Sequence, residues 1–143
     1  MKRILLLVVG GFLVVSVSAV AQSGAITSEA AFVAAMKEIG ATYGSVQSEL
    51  EARNGEAVLA GTAKLTDLFG QVQTFWMANG VDKAADIATQ AAEASTAITT
   101  AINTQAFQEI AVASDALAGA CQACHAEYRE KTDAGFRITP GVL

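Results

Sequence analysis

The chain is poor in the residues that most often break a chain or build a metal site. It has one Pro, one His, one Trp and two Cys in 143 residues. One proline among many alanines argues against an all-β fold, whose turns need breakers. A single histidine excludes any multi-histidine metal site. Two cysteines three positions apart exclude a multi-disulfide scaffold and a four-ligand zinc site built from Cys and His. Cations are also scarce, with nine Lys and Arg against fourteen Asp and Glu and a formal charge of −5. That balance argues against nucleic acid as a partner, because phosphate backbones need clustered Lys and Arg. The length fits one domain of about 100–150 residues.

The 52% hydrophobic content would suit a membrane protein, but much of it comes from alanine and from the first 21 residues. Lys2 and Arg3 precede the apolar run Ile4 to Val17, and Ala19-Val20-Ala21 offers a small-x-small cleavage site. Residues 1–21 therefore read as a cleaved export signal. The apolar run is short for a membrane span of about 20 residues. Cleavage removes Lys2 and Arg3 and takes the formal charge from −5 to −7. The expected product is an acidic exported protein, periplasmic where the cell has two membranes, with no membrane contact after cleavage. Residues 22–132 form the expected domain. Residues 133–143, with Gly135, Pro140 and Gly141, are expected to be a loose tail.

Four stretches carry apolar residues at alternating spacings of three and four, the period of a helix seam. They are Phe32, Met36, Ile39, Tyr43, Val46, Leu50; Val58, Gly61, Leu65, Leu68, Val72, Phe75; Ala84, Ile87, Ala91, Ala94, Ile98, Ala101; and Phe107, Ile110, Ser114, Leu117, Cys121, Cys124, Tyr128. Thr27 or Ser28 caps the first and Asp82 the third. Asn54-Gly55, Asn79-Gly80 and Asn103-Thr104 separate them. No segment alternates with period two. The expected fold is all-α, an antiparallel up-down four-helix bundle. Seams so rich in Ala and Gly bury little apolar area, so a large group is expected to fill the core.

Cys121-Gln122-Ala123-Cys124-His125 is C-x-x-C-H, the attachment signature of c-type haem. Positions i and i+3 share a helix face, so both thiols reach the vinyl groups on one porphyrin edge. His125 follows directly and its imidazole can bind the iron. The expected cofactor is one covalent haem c. An exported chain suits that chemistry, since covalent attachment occurs outside the cytoplasm. A thioredoxin-like pair would need a preceding strand and a βαβ context. A structural disulfide here would close a very small loop and stabilise little.

Cys121-x-x-Cys124-His125-x-x-Tyr128-Arg129 near the end of a small four-helix chain resembles the cytochrome c prime family, the class II c-type cytochromes. The resemblance covers the chain from the signal to about Lys131. It implies a haem lodged in the bundle, thioethers at Cys121 and Cys124, and His125 as proximal ligand. It implies Arg129 at the proximal haem edge, one helical turn beyond His125, where it can screen ligand charge or pair with a propionate. Tyr128 is expected to pack on the haem with its hydroxyl near the rim.

Met36-Lys37-Glu38-Ile39-Gly40 resembles the M-K-x-x-G segment of the low-spin branch of that family, which implies Met36 as the distal ligand. The plain alternative for an inward Met is core filling. The family often carries Arg four residues before this Met, and here Phe32 stands instead. Gly40 and Gly44 make a small-residue stripe, read as close approach to a porphyrin or a neighbouring helix, or as a dimer contact. Phe69, Phe75 and Trp76 read as core. The expected activity is single-electron transfer by a His125/Met36-ligated carrier rather than an enzyme, with redox partners that bear basic docking patches. The resemblance also implies a homodimer through the first two helices. The alternatives are a five-coordinate haem that binds NO or CO, and a haem-free helical protein with a redox-active Cys pair.

Overall fold

The computed structural model describes residues 24–143, so the expected signal segment 1–21 lies outside the described residues. Four helices follow one another: α1 (Glu29–Glu51), α2 (Gly55–Ala78), α3 (Asp82–Asn103) and α4 (Phe107–Tyr128). The hydroxyl of Ser28 accepts from the amide of Ala31 and starts α1, as its position predicted. Asn54 does the same for α2 through the amide of Ala57. Asp82 is not the cap of α3. Val81 holds that place without a side-chain bond, and Asp82 opens the first turn, where a carboxylate meets the positive end of the helix dipole.

Each link is three residues long, which leaves consecutive helices no option but to fold back on each other. The left-handed turns are made by Arg53 (φ 58°), Gly80 (φ 72°) and Gln105 (φ 57°). Only at Gly80 is a Cβ absent to relieve that conformation. Cross-helix bonds fix the direction of packing. Thr62, Thr66 and Gln73 of α2 bond Thr99, Thr96 and Thr89 of α3. One number falls as the other rises, so the pair is antiparallel. Lys64 pairs with Glu38 across α2 and α1 at 2.7 Å.

The chain is thus a bundle of packed helices, as the seam spacing predicted. All six seam positions of α3 are buried. In α2 the buried side chains include Val58, Leu65, Leu68, Val72 and Phe75, joined by Phe69 and Trp76. Gly61 marks a close approach of α1 and α2, because an added Cβ there would collide with Cγ2 of Val46. An added Cβ at Gly40 or Gly44 would meet nothing within 4 Å, so that stripe does not serve contact with a neighbouring helix.

Two further expectations fail. Phe107, expected on the inner seam, is 71% exposed. Residues 133–143 are not a loose tail. Arg129–Thr132 (β1) and Gly135–Ile138 (β2) pair as an antiparallel hairpin. Asp133 and Ala134 make its turn, and Gly135 at φ 128° follows. The tip is closed by the Thr132 hydroxyl donating to the Gly135 carbonyl. Ile138 is buried, and its amide donates to the Glu29 carboxylate at 3.0 Å. The hairpin is therefore tied to the first turn of α1. Among the described residues no helix is long and apolar enough to cross a membrane.

Candidate functional site

Each helix packs tightly on the next, but among the described residues no comparable approach joins α1 to α4. Two cavities occupy that gap, of about 370 Å³ and about 260 Å³. Met36 and Gly40 from α1 and Cys124 and His125 from α4 line both. Cys121 lines the smaller, with Tyr43 opposite; Tyr128 and Arg129 line the larger.

The seam of α1 explains the gap. Phe32, Ile39 and Val46 are buried, while the alternate members Met36, Tyr43 and Leu50 are only half-buried. On α4, Ile110, Ser114, Cys121 and Cys124 are half-buried in the same way. Six of them, Met36, Tyr43, Leu50, Ile110, Cys121 and Cys124, pack against the edge of the core and are covered on one side only. Met36, Tyr43, Cys121 and Cys124 share the smaller cavity, and Leu50, Ile110 and Ser114 border a third cavity of about 850 Å³ at the other end of the seam. Met77, the other described methionine, is 61% exposed at the end of α2.

Cys121 and Cys124 are free thiols one turn apart on α4. Burial raises the pKa of Cys121. Burial, with the Cys121 and Glu127 charges adding to it, pushes Cys124 up to about 11. Both are therefore neutral at physiological pH, the reverse of a reactive dithiol, which needs a depressed pKa. Burial and the nearby Arg129 guanidinium lower the pKa of His125, which favours the neutral imidazole that a metal requires. Among the described residues no group of three or more His, Cys, Asp or Glu could hold a metal ion by itself.

An aromatic wall backs the larger cavity. Phe32 lies 4.8 Å from Phe75 and 5.0 Å from Trp76 between ring centroids, and Trp76 lies 5.5 Å from Tyr128. Phe32 is thus part of a packed aromatic cluster. Trp76 is fully buried, lines the cavity, and its Nε1–H has no acceptor among the described residues. A buried indole N–H normally finds one, and an orphaned donor costs about 1–3 kcal/mol.

The hairpin forms the rim. Arg129 is not on α4, which ends at Tyr128; it is the first residue of β1, with extended backbone. Pairing with Ile138 takes it out of the helix. Its guanidinium stacks over Phe136, 4.4 Å from the ring centroid. Phe136 and Arg137 also line the larger cavity.

The structure brings Met36, Cys121, Cys124, His125, Tyr128 and Arg129 around one gap. Trp76 and Arg137 were not legible as site residues. Trp76 sits in a run of core aromatics, and Arg137 reaches the site only because the chain reverses at residue 133. No family model, curated protein or solved structure matches this chain.

Proposed function

We propose that this chain is an exported monohaem c-type cytochrome that carries single electrons, with haem c bound through Cys121 and Cys124 and axial ligands His125 and Met36. The observation that carries the reading is the pairing across the gap. The C-x-x-C-H segment and Met36 border the same two cavities, in a seam that the chain's own side chains leave unfilled. A thioether, an imidazole and two neutral thiols are the donor set such a haem needs. The unpartnered Trp76 N–H and the open space at Gly40 also fit a bulky group with acceptors.

In this reading Cys121 and Cys124 would hold the haem through two thioethers, each thiol adding across one vinyl group without a leaving group. Burial and the Arg129 charge favour the neutral form of His125, whose lone pair would be free for the iron. Phe32, Trp76 and Tyr128 exclude water from one side of the cavity and keep the local dielectric low. When bound, the haem iron supplies a ferric–ferrous couple that exchanges one electron without substrate turnover. The acidic chain favours redox partners with basic docking patches.

The resemblance to the cytochrome c prime family supports the same reading through Cys121, Cys124, His125, Tyr128 and Met36. The test is maturation of the full chain in a host equipped for haem attachment. Intact mass should show loss of residues 1–21 and gain of one haem, and absorption in both oxidation states should show a low-spin haem c. A colourless product overturns the proposal. A high-spin ferric spectrum with fast CO uptake would replace the electron carrier by the five-coordinate gas-binding alternative.

A further inference from the structure

The larger cavity has an uneven charge that the haem reading alone does not require. Lys2 and Arg3 lie outside the described residues, and three of the remaining seven cations, Lys37, Arg129 and Arg137, line this one cavity. No Asp or Glu lines it. In a chain with an acidic balance, that is a concentration of positive charge around an apolar hole.

Two of these cations are held in place. Glu130 and Arg137 are cross-strand partners on the hairpin, and the Arg137 Nε donates to the Glu130 carboxylate at 2.6 Å. The two terminal nitrogens of the guanidinium remain for a second acceptor. Arg129 is stacked on Phe136. Neither Arg129 nor Lys37 makes an ion pair among the described residues. The hairpin is itself fixed, through the Ile138 amide to Glu29 and through the Thr139 amide to the Tyr128 carbonyl. At the inner wall stands Trp76, fully buried and with its N–H unpaired. Fixed guanidinium groups and a desolvated N–H make a receptor for carboxylates, because charge-assisted bonds from a planar fork are among the strongest that a side chain offers.

We propose that the C-terminal hairpin is a carboxylate clamp, in which Arg137 and Arg129, with Lys37 of α1 and the buried N–H of Trp76, hold the propionates of the bound haem. The inference rests on the haem reading and extends it from the helices to the hairpin. It makes Arg137 a positioning residue and gives the hairpin a role in setting the potential.

The test uses the matured holoprotein and its Arg137→Gln, Arg137→Lys and Trp76→Phe variants. Resonance Raman spectra report the propionate-bending bands, and a redox titration reports the potential. Arg137→Gln should shift those bands and lower the potential, since loss of a cation favours the ferric state. The Soret and axial-ligand bands should stay as in wild type. Arg137→Lys should restore most of the potential but not the bands, because it keeps the charge and loses the fork. Trp76→Phe should shift the bands alone. Arg53→Gln, at the far end of the bundle, serves as the control. If Arg137→Gln matches Arg53→Gln in both measurements, the clamp is wrong while the cytochrome reading stands. If the wild-type chain carries no haem, both fall together.

Discussion

Met36 of α1 and His125 of α4 border the same two cavities, although they come from opposite ends of the domain. Their meeting depends on the three short links, which bring the first and last helices to the two sides of one gap. Matured ferric protein should be low-spin at neutral pH, with a Met-to-iron charge-transfer band. Met36→Ala should abolish that band and convert the spectrum to high-spin. A wild-type protein already high-spin would remove Met36 from the ligand set.

The thiols give a prediction for the haem-free chain, made in the cytoplasm without residues 1–21. Cys124 is pushed from 9.0 to about 11 by burial. At pH 8 its thiolate should be about 100-fold scarcer than in the unfolded chain, and iodoacetamide should label it correspondingly slowly. Denaturation in urea should raise the rate. The fold prefers the neutral thiol, so stability is whole below pH 9 and declines as pH rises towards 11. The thiol of Cys121 and the Tyr43 phenol shift the same way. Equal labelling rates in folded and unfolded chains would refute this.

Gly61 and Gly40 should respond in opposite directions. A methyl at Gly61 meets Val46, a buried side chain stiff at χ1. Gly61→Ala should cost about 1–3 kcal/mol by overpacking. Gly40→Ala has open space and should stabilise the haem-free chain by about 0.5–1 kcal/mol through helix propensity. Urea melts of the two variants decide the matter, and a stable Gly61→Ala would contradict the close approach of α1 and α2.

Gln105 holds a left-handed backbone without being glycine. An L side chain pays about 1–2 kcal/mol there. Gln105→Gly should therefore raise the thermal midpoint, by an amount near 1 kcal/mol in stability after the added chain entropy of glycine is deducted. A lowered midpoint would show that the Gln105 side chain stabilises the turn.

The helices were legible because one period governs each of them. The α3 seam needed only its spacing, since every inward position found a partner. The site was half legible. Cys121, Cys124 and His125 stand in one motif, and Met36 has inward spacing, so a linear reading reaches all four. Arg137 and Trp76 escape it for different reasons. Arg137 depends on a two-residue turn at Asp133-Ala134, whose breakers also suit a frayed end. The role of Trp76 depends on an acceptor being absent, and no spacing encodes that. Phe107 misled because a seam can start outside the bundle's end.

The bond from the Ile138 amide to Glu29 makes the architecture a closed loop in space. The opening turn of α1 takes this partner from 109 positions further along the chain. Loss of the Glu29 carboxylate would therefore release the rim of the larger cavity from the first helix, although Glu29 does not itself line that cavity.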